Sequence, residues 1–294
     1  MSLNVALVCP DPQIRQKAAR AFDRAPQDWD IDFYSAPPLD ADVVVLGPGV
    51  EGAGIRFDPE HPDRLLEDVR KTTRPSASLV AVTSASRGLG VTSVALHLAA
   101  AAATGAERTL LVDLDRTWRG VAARLGFPHT SKTWAHATDP DAFSLVASPV
   151  AGGFHALLAP SVETEAPAAR DVLRLATQRS RCVIIDLPAD GPVEEVVPLC
   201  SSAILLVAPS WEGAERARSV ASTFPSPPVF VANRLGAGSD IPLRDLEAKL
   251  GAPFACELPY TPSLRDSEDD GRLMVRPSSR WCRRVAGIYS RLLA

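Results

Sequence analysis

Between Leu79 and Thr104 the chain reads LVAVTSASRGLGVTSVALHLAAAAAT, with Gly88 and Gly90 in a small-residue turn and hydroxyls at Thr92 and Ser93. An apolar, partly β-branched run (Leu79 to Thr83) enters the turn, and an Ala/Leu-rich helical pattern leaves it from Thr92. A strand that runs into a glycine loop and then a helix aims several backbone N–H groups and a helix N-terminus at one point, which suits a phosphate chain. Two more apolar runs end in acids: Thr109 to Asp115 (TLLVDLD) and Cys182 to Asp186 (CVIID). An Asp at the carboxyl end of a parallel strand sits where ligands bind in open α/β sheets, and it can hold Mg²⁺ directly or through water. The same residue types also make plain βα turns and helix N-caps.

The elements that would position these residues alternate strand and helix. Strands are expected at 79–83, 109–113, 154–158, 182–186, 203–208 and 228–232, with a last short one near 254–257. That alternation implies an α/β domain with a mostly parallel, doubly wound sheet and helices on both faces. Residues 1–57 carry a separate β-α-β-β pattern: Val5 to Val8, a helix from about Gln13 to Arg24, Ile31 to Tyr34, and Asp42 to Leu46. Residues 58–78, with His61-Pro62 and Arg74-Pro75-Ser76 around a charged helical pattern from Asp63 to Lys71, are expected to form a linker, and 79–294 the main domain.

Composition bounds the rest. At 294 residues and 46% hydrophobic the chain can bury a substantial core. The net charge of −4 argues against a surface that coats nucleic acid. Five cysteines show no CxxC spacing and imply reduced thiols in a cytoplasmic protein; five histidines show no HExxH spacing, so no structural metal is expected. No signal peptide or membrane span is expected, since Asn4 to Cys9 runs directly into Pro10-Asp11 and the Ala-rich stretch near 94–103 is short and holds His97.

Laid on the pattern K-G-G-x-G-K-[ST]-[ST], residues 86–93 keep two glycines and the hydroxyl pair, with Ser86 at the first lysine, Arg87 at the first glycine and Val91 at the second lysine. The chain thereby resembles the MinD/ParA superfamily of P-loop NTPases over roughly residues 79 to 273. Thr109 to Asp115 resembles that family's second strand and first switch, and Cys182 to Pro188 its Walker B segment. Val229 to Arg234 resembles the strand whose Asn meets adenine; Glu257-Leu258-Pro259-Tyr260 and Gly271-Arg272-Leu273 resemble the close of the domain, with Thr261 where an Asp would stand. The resemblance implies ATP contacts from Arg87, Gly88, Leu89, Gly90, Val91, Thr92, Ser93, Asn233 and Pro259. It also implies Mg²⁺ on Thr92 and Asp186, and a water-orienting role for Asp115. The nearest likeness is to the TadZ/CpaE-like group, which pairs a receiver-like segment with a MinD-like domain and often lacks Lys where Val91 stands; Trp118-Arg119-Gly120 fits it too. In the receiver-like segment Gly47 takes the place of a phosphoacceptor.

Three functions follow as expectations. The first is a nucleotide-responsive or pseudo-ATPase scaffold for assembly of a Flp (type IVc) pilus, a homodimer at the inner membrane or cell pole with a secretion-machine ATPase and membrane components as partners. The second is a working ATPase in cell-division positioning, and the third a DNA-partition protein, which the acidic charge disfavours. The last helix, from Ser279 to Leu293, puts Trp281, Val285, Ile288 and Leu292 on one stripe beside Arg280, Arg284 and Arg291. Such a helix either lies on an anionic membrane surface or packs its stripe on the domain.

Overall fold

The computed structural model describes residues 3–25, 29–36, 38, 41, 43–52, 54–73, 78–104, 109–117, 120–129, 131–137, 140–235, 241–273 and 279–292. Asp42, the expected start of a strand, the triplet Arg74-Pro75-Ser76, the pair Trp118-Arg119 and Leu293 lie outside them. The chain divides into two compact units, Met1–Ser76 and Ala77–Ala294.

The first unit contains β1 (Leu3–Val8), α1 (Pro12–Ala21), β2 (Trp29–Tyr34), β3 (Val43–Leu46), β4 (Ile55–Arg56) and α2 (Leu65–Thr73). Its strands are parallel in the order β2-β1-β3-β4. Asp11 caps α1, accepting from the N–H groups of Gln13 (2.8 Å) and Ile14 (3.3 Å). A Cβ on Gly47 would lie 2.6 Å from Cys9 Sγ, so close packing at the end of β3 leaves no room for an acidic side chain there. The stretch 58–78, expected as a linker, is largely folded into this unit. Leu65 and Val69 of α2 share a core with Val5, Leu7, Val43 and Val45, because apolar residues four apart give an otherwise charged helix one face to bury.

The second unit contains β5 (Ser78–Ser84), α3 (Val91–Ala103), β6 (Thr109–Asp113), α4 (Val121–Arg124), α5 (Pro140–Val146), β7 (Ser148–Pro149), β8 (His155–Leu157), α6 (Ala169–Arg179), β9 (Cys182–Asp186), α7 (Val193–Val196), β10 (Ser202–Val207), α8 (Trp211–Ala221), β11 (Val229–Leu235), α9 (Leu243–Leu250), β12 (Cys256–Pro259), α10 (Pro262–Asp269) and α11 (Arg280–Leu292). Its sheet has the order β12-β11-β10-β5-β9-β6-β8-β7, parallel except for the β7–β8 pair. The expected doubly wound sheet is therefore present, with β7 a short antiparallel addition at its edge.

Strand alternation sorts even the continuous apolar runs onto two faces. Val80 and Val82 of β5 join α3 and α11 in one core, while Leu79 and Ala81 join Phe143 of α5 and Val172 and Leu173 of α6 in the other. Helix α3 is buried nearly all round, from Val91 to Ala102, which its run of small Ala side chains permits. Trp281, Val285, Ile288 and Tyr289 of α11 are buried against it. Of the two alternatives for the last helix, the structure takes packing on the domain; Arg284 also reaches the Glu257 carbonyl and Arg291 that of Ala255, covering the β12 edge. No helix among the described residues is long and apolar enough to cross a membrane.

Candidate functional site

The glycine loop joins β5, the central strand, to the buried helix α3. Gly88 and Gly90 both have φ of 78°, a left-handed backbone open to glycine, and Gly90 is the N-cap of α3 without any capping side chain. The N–H groups of the first turn have no intrahelical partner, and no side chain caps this end, so Thr92 and Ser93 offer donors to an anion. Ser84 Oγ closes the loop's entry by donating to the Ser86 carbonyl at 2.7 Å.

The side chains at the loop run counter to a lysine-bearing phosphate site. Leu89 and Val91 are each 9% exposed and belong to the core shared with Val94 and Leu206. Arg87 points outward and pairs with Asp190, in the turn after β9.

Two buried acids face each other across neighbouring strands. Asp113 and Asp186 are register partners at the ends of β6 and β9, each 1% exposed. Asp113 accepts from the N–H groups of Asp115 (2.9 Å) and Val121 (3.1 Å), and Gly120 lets them close in, since a Cβ there would sit 2.9 Å from Asp113 Oδ1. Asp186 accepts from the Thr92 hydroxyl, while its Oδ2 is buried without a partner. Burial pushes the Asp186 carboxyl up to about 7, the Thr92 hydrogen bond and the Arg124 charge acting against it. Burial, and then the charge of Asp186, raise Asp113 well above the usual carboxylate range.

Among the described residues no cluster of three or more His, Cys, Asp or Glu could hold a metal alone. One hydroxyl and one carboxylate with an orphaned oxygen do fit Mg²⁺, which prefers few protein ligands and completes its octahedron with water and phosphate oxygens. Asp115, expected to orient water, sits on the loop after β6, its Oδ1 taken up by the Thr117 N–H (3.0 Å) and hydroxyl (2.6 Å).

A cavity of about 580 Å³ opens beside the loop, lined by Gly88, Gly90, Ser93, Asn233, Arg234, Pro259 and Tyr260. Arg124, Arg265, Glu268, Asp269 and the buried Trp281 also line it. Asn233, 5% exposed, donates through Nδ2 to the Leu89 carbonyl at 2.5 Å and accepts from the Arg234 N–H at 2.9 Å. Its carboxamide thus ties β11 to the glycine loop and keeps one N–H and one lone pair for a ligand.

The structure gathers Gly88, Gly90, Ser93, Asn233 and Pro259 around one cavity and sets Thr92 against Asp186 beside it. Leu89 and Val91 contribute backbone while their side chains face the core, Arg87 is paired with Asp190, and Asp115 has one carboxylate oxygen engaged by Thr117. Sequence reasoning passed over Asp113, Arg124 and Glu268, and placed Trp281 on the stripe of the last helix without linking it to the site. Asp113 was within reach, since it ends the same apolar run as Asp115 and is the last residue of the strand itself.

No family model matches the sequence, and none of the curated proteins does. Among solved structures, a ParA family ATPase from Chlorobium tepidum superposes with a TM-score of 0.63 at 18% identity, over 73% of this chain and 99% of that one. A chain of the MinC:MinD cell division protein complex of Aquifex aeolicus gives 0.63 at 17% identity, over 74% and 96%. The septum site-determining protein MinD of Pyrococcus horikoshii, complexed with Mg-ADP, gives 0.59 at 18%, over 73% and 95%. The chain has the fold of the MinD/ParA ATPases.

Proposed function

We propose that this chain is a nucleotide-responsive scaffold of the TadZ/CpaE type, a pseudo-ATPase that binds ATP with Mg²⁺ and hydrolyses it slowly or not at all. The observation that carries the reading is Val91: the helix start keeps its glycines and uncapped N–H groups, but core packing fills the lysine position. Binding in this site relies on backbone donors, whereas phosphoryl transfer needs cations placed against the developing charge. The chain's own residues would hold the nucleotide through Gly88 to Ser93, seat its base near Asn233 and Pro259, and hold the cation on Thr92 and Asp186. Bound there, Mg²⁺ would neutralise phosphate charge beside two buried acids.

The fold is shared with proteins of cell-division and partition systems, and the finer assignment to a Flp pilus machine rests on the sequence likeness. An α/β unit with parallel strand order β2-β1-β3-β4 and no acidic phosphoacceptor at Gly47, followed by a MinD-like unit, supports it. Partners in this reading are a second copy of the chain through the loop-bearing face, a secretion ATPase and components at the inner membrane or pole. One observation favours the rival reading, a working ATPase in division positioning: the Thr92–Asp186 pair is intact. A strain lacking the chain separates the two, since loss of assembled pili with normal septa supports the scaffold and misplaced septa with normal pili supports the division ATPase.

A further inference from the structure

We infer that Arg234 supplies the side-chain cation that the glycine loop lacks, its ligand being the phosphate chain of the nucleotide proposed above; the inference rests on that reading. Arg234 is the one non-glycine residue with positive φ among the described residues, at 61°. A residue with a Cβ is disfavoured there, yet the chain enforces it. The Arg234 N–H is held by Asn233 Oδ1, and Asn233 in turn is held by the Leu89 carbonyl. The β11–β12 register slips between Asn233 and Leu235. Such a bulge re-aims a side chain, and here Arg234 lines the same cavity as Gly88, Gly90 and Ser93.

The other arginines near the loop are occupied. Arg124 donates to Glu268 at 3.1 Å and to the Gly120 carbonyl at 3.2 Å. Arg265 faces Asp269 at 3.6 Å, and Arg87 is paired with Asp190. Arg234 makes no side-chain hydrogen bond or ion pair among the described residues. A guanidinium forks onto two phosphate oxygens, so a free one on a backbone anchored to Leu89 places a cation beside the phosphate loop without the lysine that Val91 displaces. Glycine would adopt this turn at less cost, which leaves the side chain as the reason for arginine.

The test titrates the full chain with inorganic pyrophosphate, ATP and adenosine, comparing the wild type with Arg234→Ala, Arg234→Lys, Arg234→Gly and Arg87→Ala. Losing a charge-assisted contact should weaken pyrophosphate and ATP by about tenfold in Arg234→Ala. Arg234→Lys should recover part of the loss. Arg234→Gly accepts the left-handed turn, so an equal loss there reports the side chain and not a collapsed bulge. Unchanged pyrophosphate affinity in Arg234→Ala, with the wild type binding, overturns the inference and leaves the nucleotide reading standing. A loss seen only with adenosine assigns Arg234 to the base, and a pyrophosphate loss seen only in Arg87→Ala assigns the cation to Arg87; both overturn the inference. A wild type that binds neither pyrophosphate nor ATP overturns the nucleotide reading as well.

Discussion

Arg87 and Asp190 form an ion pair that ties the glycine loop to the turn following β9, the strand that ends in Asp186. The carboxylate occupies the guanidinium that stands nearest the signature position of the loop. A phosphate arriving there competes with Asp190 for the same donors, so the pair links occupancy of the loop to the 187–192 turn.

Asp190→Ala should therefore tighten ATP binding, measured by calorimetric titration. The two side chains are 74% and 48% exposed, and solvent-screened pairs contribute on the order of 0–1 kcal/mol, so the melting temperature should hardly move. Weaker binding in Asp190→Ala would show that the carboxylate serves the ligand instead of competing with it.

The buried acids give a pH signature. Asp186 titrates near 7 in the fold against an ordinary 3.8, so the fold favours its protonated form. That contribution is complete below about pH 4 and is lost as pH rises through about 7, with Asp113 adding to the same slope. In chelator the melting temperature should fall over this window, and stabilisation by Mg²⁺ should grow over it, because the cation needs the ionised carboxylate. Asp186→Asn should flatten the fall and abolish the Mg²⁺ response in thermal denaturation. An unchanged Mg²⁺ response would remove Asp186 from the cation site.

Much of this was legible in the sequence, for a physical reason. Strands such as Thr109–Asp113 and Cys182–Asp186 are interior and parallel, so they read as uninterrupted apolar runs ending where the ligand face begins. Short edge elements gave no such signal: Ile55–Arg56 and Ser148–Pro149 have two residues each. The pairing of Asp113 with Asp186 depends on the register of strands far apart in the chain, and the clasp of Asn233 on Leu89 joins residues 144 positions apart. Neither follows from local spacing. Helix α2 falls on the charged helical pattern expected from Asp63 to Lys71; its docking into the first unit was hidden, because its charged residues outweigh Leu65 and Val69 in composition, though not in packing.

Val91→Lys restores the missing ammonium at the start of α3. Its stem must leave the core that Val91 fills, at a cost of about 1–3 kcal/mol, read as a lower midpoint in urea. ATP affinity should rise by roughly tenfold, as one added charge-assisted contact allows. A variant with lower stability and unchanged affinity would place the phosphates away from this helix start.

Trp281 is 3% exposed, floors the cavity, and stacks edge-on with His97 of α3, ring centroids 4.7 Å apart. Trp281→Ala should cost about 3–5 kcal/mol and expose α11 to trypsin at its arginines, with Trp281→Phe losing much less. Resistance to trypsin equal to that of the wild type would mean that α11 is held without this anchor.

The central claim is a site that takes nucleotide without turning it over, and the most direct test is titration of the purified chain with ATP and ADP, with and without Mg²⁺, followed by a turnover assay. The account predicts saturable, Mg²⁺-strengthened binding and phosphate release far below about 1 per second. Turnover on the order of 1 per second or faster, abolished by Asp115→Ala, would contradict it, and so would the absence of binding to either nucleotide.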